Sequence, residues 1–125
     1  MFFTWQGVFP ALTTPFTSND ELDLPLFEKS LAAQVEAGVN GIVLGGSLGE
    51  ASTLTTAEKG KLVESAVRCL EGKIPVVMNI AEGSTNEALK QVLFAESWGV
   101  QGLMLLPPMR YKSDERETLT FFKTI

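Results

Sequence analysis

Hydrophobic positions along the chain alternate between short continuous runs and longer stretches of helical period. Residues 41–44 form a continuous apolar run, the pattern of a strand covered on both faces, and residues 7–12, 74–80 and 102–106 read as further strands. Between them lie amphipathic stretches. Asp23 predicts a cap and Pro25 falls in the first turn of a helix carrying Leu26, Phe27, Leu31 and Val35, with Gly38 as its stop. Thr55 with Glu58 reads as a capping box ahead of Leu62, Val63, Ala66, Val67 and Leu70, and Gly72 ends that helix. Ser84 with Glu87 predicts a second capping box, followed by Ala88, Leu89, Val92 and Leu93 up to Gly99. A fourth helix begins near Asp114 and still runs at Phe121, Phe122 and Ile125.

The predicted strands start near positions 7, 41, 75 and 102. That spacing suits parallel strands joined by crossover helices, so the chain reads as four consecutive βα units. Two architectures use such units, an open doubly wound sheet and a closed barrel. A doubly wound nucleotide binder usually carries a glycine-rich loop after its first strand. Here that strand is followed by Thr13-Thr14-Pro15-Phe16, and the glycines come after the second strand instead. The Gly45-Gly46-Ser47-Leu48-Gly49-Glu50 cluster matches neither the dinucleotide fingerprint nor the Walker pattern. The pattern favours the N-terminal half of a (β/α)8 barrel, a single partial domain over residues 1–125 that is truncated in its fourth helix. Such a half would leave its first and fourth strands as unpaired edges.

Composition narrows the chemistry. The 125 residues carry a net charge of −5 and no Lys/Arg cluster, so neither nucleic acid nor an anionic membrane is an expected partner. There is no histidine, which removes Ser-His and Cys-His catalysis and leaves no expected metal site. The lone Cys69 sits in a helical pattern and is expected to be a buried small hydrophobe in a reducing compartment. The opening Met1-Phe2-Phe3-Thr4-Trp5 lacks the basic region of a signal peptide, and no apolar run nears the ~20 residues of a membrane span. The expected location is the cytoplasm.

In a barrel of this kind the site lies at the C-terminal ends of the strands. Four segments qualify: 13–15, 45–52, 81–84 and 107–112. The second is the most informative, because its glycines permit a tight turn with Ser47 between them. The hydroxyl and neighbouring N–H groups would form an anion nest for a carboxylate or phosphate. Equally, the segment reads as a structural turn with Glu50 bonded to backbone amides.

Residues 7–16 and the order from Glu36 to Leu44, followed by Gly46-Ser47-Leu48-Gly49-Glu50, resemble the dihydrodipicolinate synthase / N-acetylneuraminate lyase family in its GxxGE setting. Thr53-Leu54-Thr55, Glu58-Lys59, Pro75-Val76-Val77, Ser84-Thr85 and Leu106-Pro107-Pro108 continue the likeness over essentially the whole chain. The resemblance implies a lyase or aldolase that needs no cofactor and joins a lysine to the ketone of pyruvate or another 2-oxo acid as a Schiff base. It places that lysine on a sixth strand and a tyrosine on a fifth, both beyond these residues, so this fragment alone is expected to be inactive. Lysines 29, 59, 61, 73, 90 and 123 fall on helices or their ends, most of them expected in solvent, and Lys112 lies on the rim without matching the Schiff-base position.

Carried over by resemblance, Ser47 binds carboxylate or relays a proton, with Gly46 and Leu48 beside it. Leu48 stands where many members have threonine. Met109 and Arg110 occupy the positions of an adjacent tyrosine pair, and a one-residue shift lets Tyr111 take the catalytic role, while Arg110 either pairs with a substrate carboxylate or faces solvent or a subunit interface. The Pro-x-x-Tyr-Lys-Ser-Asp order is similar to members acting on hydroxyproline-derived pyrroline carboxylates. The family implies a homotetramer or homodimer at full length. Two readings of other classes remain: a phosphate-binding barrel using Gly45 to Gly49, and a non-catalytic regulator on the same fold.

Overall fold

The computed structural model describes residues 3–125, so Met1 and Phe2 of the expected leaderless start lie outside the described residues. Three parallel strands, β1 (Ile42–Leu44), β2 (Val76–Ile80) and β3 (Gly102–Leu105), form one sheet in the order β1-β2-β3. Ile42 pairs with Val76, and Val77 with Gly102, so the strand ends are aligned. Four helices, α1 (Leu24–Glu36), α2 (Thr56–Leu70), α3 (Thr85–Ser97) and α4 (Glu115–Thr124), alternate with the strands.

The opening segment runs beside β1, but it is not a fourth strand. Val43 N donates to Pro10 O at 2.9 Å and Leu12 N to Val43 O at 3.0 Å, which brackets a single parallel bridge between Ala11 and Val43. The next rung of a parallel ladder would need an N–H from residue 10, toward Gly41. Proline has none, so the ladder stops. Apolar patterning alone marks residues 7–12 as a strand and misses this.

Sheet residues divide by parity. Ile42, Leu44, Val76, Met78 and Ile80 join Leu31, Leu62, Val63, Ala66, Ala88, Ala95 and Phe121 in one buried cluster under the helices. Val43, Val77 and Asn79 are also buried but face the other way. On that second face Trp5 lies over Gly102 and Phe9 over Gly41, with the two rings 5.9 Å apart. In the helix layer, Trp98 stacks on Phe94 at 5.8 Å and presses against Gly60 of α2. β3 is an outer strand of the sheet and only half covered, with Leu103 and Met104 exposed, in keeping with the unpaired edge expected of the fourth strand.

Helix starts follow their caps. Asp23 accepts from Leu26 N at 2.9 Å. Thr55 and Glu58 form the full capping box, and Asp114 with Glu117 forms another. Ser84 accepts from Glu87 N, but the return bond is missing, because the Glu87 carboxylate reaches Lys90 at 2.7 Å instead. The expected apolar stripes are narrower than predicted. Leu26 and Leu93 are exposed, and α3 docks through Ala88, Gln91 and Ala95, small or slender residues that let the helix approach closely.

Cys69 is exposed, against the expectation of a buried thiol. It opens into a groove of about 370 Å³ between α1 and α2, where Ala32 and Val35 on the α1 side are too small to close over it. Lys59 departs in the opposite sense: it is buried rather than solvated, and its partner is Glu82.

Candidate anion-binding turn

The turn after β1 is built by three contacts from its neighbours. Gly45 adopts φ +65°, a left-handed conformation that suits glycine, and its carbonyl accepts from Asn79 Nδ2 of β2 at 2.9 Å. Gly46 then starts a short 3-10 turn over Ser47–Gly49, and its carbonyl accepts from Gly49 N at 2.9 Å and Ala51 N at 3.2 Å. Gly49 is pressed so close to the opening segment that a Cβ there would stand 2.8 Å from Leu12 O. The buried Thr14 hydroxyl donates to Gly49 O at 2.7 Å.

What the turn presents is a small set of donors. Ser47 and Leu48 are exposed, and among the described residues their N–H groups and the Ser47 hydroxyl have no protein partner. Glu50 is not part of that set. It sits at φ 63°, its carboxylate accepts from the Thr53 hydroxyl at 3.2 Å, and its carbonyl takes Thr53 N and Leu54 N. Its role is to lead the chain into α2.

Lys59 Nζ meets Glu82 Oε1 at 3.2 Å, tying α2 to the segment after β2. Beside it Gln91 Nε2 donates to the Thr56 hydroxyl at 3.1 Å. Among the described residues no group of three acidic, Cys or His side chains is placed to hold a metal ion.

Two carboxylates stand below the usual glutamate range. Glu28 is lowered first by the Ser65 hydroxyl at 2.6 Å and then by Arg68 at 2.7 Å, and Glu58 by its backbone and hydroxyl bonds from Thr55. A carboxylate whose value falls on folding stabilises the native state fully above the unfolded value, and that contribution disappears as pH drops through the folded one. Urea midpoints are therefore expected to decline as the solution is acidified below the ordinary glutamate range. Glu28→Gln and Glu58→Gln should each flatten that decline. Equal slopes in variants and wild type would mean these bonds do not form.

The segment after β3 lies open. Met109 and Tyr111 are among the most exposed apolar side chains, Arg110 and Lys112 are exposed, and the Arg110 guanidinium sits 5.8 Å from the Tyr111 ring centroid. Tyr111 lines a cleft of about 260 Å³ with Thr85, Pro108 and Phe121. Arg110 and Tyr111 thus come together, whereas no hydrogen bond joins either to Ser47 among the described residues. Of the residues that build the turn, Thr14 falls in the expected rim segment 13–15, whereas patterning does not single out Asn79. The available signal was a lone amide in an otherwise apolar strand.

The sequence profile of the dihydrodipicolinate synthetase family matches residues 4–125. The chain belongs to that family. Among curated relatives of the family, a 4-hydroxy-tetrahydrodipicolinate synthase of Methanosarcina mazei is 37% identical over 121 residues, covering 97% of this chain and 41% of the relative. A dihydrodipicolinate synthase from Thermotoga maritima superposes with a TM-score of 0.91 at 36% identity, covering 94% of this chain and 39% of that one. The chloride-inhibited dihydrodipicolinate synthase of Acinetobacter baumannii, solved with pyruvate, gives 0.89 at 27% identity, over 98% and 43%. The chain therefore spans about two-fifths of the length of these family relatives and carries part of a (β/α)8 barrel. No described helix is long and apolar enough to cross a membrane.

Proposed function

We propose that this chain supplies the carboxylate-binding side of a Schiff-base lyase acting on pyruvate or another 2-oxo acid. The observation that carries the reading is the turn at Ser47–Gly49, which holds a hydroxyl and two backbone N–H groups outward at the end of β1. Such a set matches a carboxylate's two oxygens, and a short turn start favours negative charge. Support comes from the pyruvate bound by the Acinetobacter baumannii relative. Gly46 supplies the turn, Ser47 the hydroxyl, and Leu48 a backbone donor only.

The lysine that forms the imine and a proton-relaying tyrosine are contributed by sequence outside these residues. Within the chain, Lys59, Lys73 and Lys90 are held in ion pairs. The complete protein works in the cytoplasm as a homodimer or homotetramer, with no resident cofactor. Borohydride trapping tests the proposal. Pyruvate should add covalently to the complete protein and not to residues 1–125 alone. No adduct from any 2-oxo acid on the complete protein would end it.

A second reading within the family is a deaminase-like member acting on a hydroxylated pyrroline carboxylate. Leu48, 70% exposed at the turn, favours it by replacing a hydroxyl with an apolar surface, and Arg110 beside Tyr111 adds a cation for a second carboxylate. A panel of pyruvate and pyrroline carboxylates against the complete protein separates the two.

A further inference from the structure

The apolar run of β2 is interrupted once, by Asn79, which is 3% exposed. Its strand neighbours Met78 and Ile80 point into the helix layer, so Asn79 points to the opposite face, one residue from the strand's C-terminal end. There its Nδ2 donates to Gly45 O. Reversing the amide would set two acceptors against each other, so the orientation is fixed. Oδ1 is then left buried with no partner among the described residues. Burying an amide in an otherwise apolar strand is costly unless it is hydrogen-bonded, so the bond to Gly45 O, and not the packing of this face, accounts for the asparagine.

What it does hold is the turn. The Gly45 carbonyl and the Gly46 N–H share one planar peptide unit, and the Gly46 carbonyl in turn takes Gly49 N and Ala51 N. A donor fixed on Gly45 O therefore fixes the platform from which Ser47 and Leu48 present their N–H groups. Gly45 most needs such a clamp, because a glycine at φ +65° has many other conformations open to it.

We propose that Asn79 is a positioning residue for the anion-binding turn, acting through the Gly45 carbonyl without touching the bound acid. This rests on the carboxylate reading given above. The test uses Asn79→Ala and Asn79→Asp in the complete protein. The aspartate variant keeps the shape, loses the donor and adds a negative charge beneath the site. KM for pyruvate should rise about tenfold in the alanine variant, and further in the aspartate variant, with kcat within about twofold of wild type. Amide resonances of Gly46, Ser47 and Leu48 should move in the ligand-free variants. Unmoved resonances with KM within about twofold of wild type would overturn the clamp, and so would a fall in kcat at constant KM. If wild type forms no adduct with any 2-oxo acid, the functional reading fails by itself, and the resonances still decide whether Asn79 holds the turn.

Discussion

Gly49→Ala is expected to lower stability by about 1–3 kcal/mol and to weaken 2-oxo acid binding in the complete protein by an order of magnitude or so. The new methyl would stand 2.8 Å from Leu12 O. That oxygen is backbone, and its segment is tied down on both sides, by Leu12 N to Val43 O and by the Thr14 hydroxyl to Gly49 O. Neither partner can retreat cheaply, so the turn itself must move and carry Ser47 with it. Gly46→Ala is the control. Its φ of −74° is open to any residue, and the nearest atom to a Cβ there is the Met104 methyl at 4.0 Å. Thermal midpoints and pyruvate KM measured side by side would separate them. Equal effects at positions 46 and 49 would mean that the contact with Leu12 does not set the turn.

Removing the Lys59 ammonium is the second large effect. Lys59→Met strands Glu82 with a side chain only 23% exposed, next to a helix interface that already contains an unpaired Gln91 Oε1. Breaking a buried pair from one side costs about 3–5 kcal/mol, and the partial exposure of Glu82 reduces the expectation here to about 1–3 kcal/mol. The double change Lys59→Met with Glu82→Gln should recover much of that loss, because no charge is then left unpaired. Urea denaturation of the four proteins gives the coupling directly. A single variant within about 0.5 kcal/mol of wild type would show that water already satisfies Glu82.

Local chemistry explains what could be read from sequence. The helix starts at Asp23, Thr55, Ser84 and Asp114 were legible because a cap acts within three residues of itself, and each accepts the backbone N–H its spacing implies. The glycine-flanked serine turn was legible for the same reason. What escaped depends on partners distant in sequence. Pro10 reads as harmless until Gly41 lies across from it, and Lys59 reads as solvated until Glu82 arrives from the end of another strand. Cys69 lies on the side of α2 that faces a groove no sequence period describes. Asn79 left a trace, one amide among four apolar neighbours, but its meaning came only with the Gly45 carbonyl.

The chain's two tryptophans stand on opposite sides of the sheet, Trp5 against Gly102 and Trp98 between Phe94 and Gly60. Each is thus a built-in optical reporter for a different half of the architecture. A change in emission from the first signals rearrangement of the sheet face opposite the helices, and one from the second signals slippage between α2 and α3. Within residues 1–125, replacing either by phenylalanine leaves one indole that reports on the remaining side.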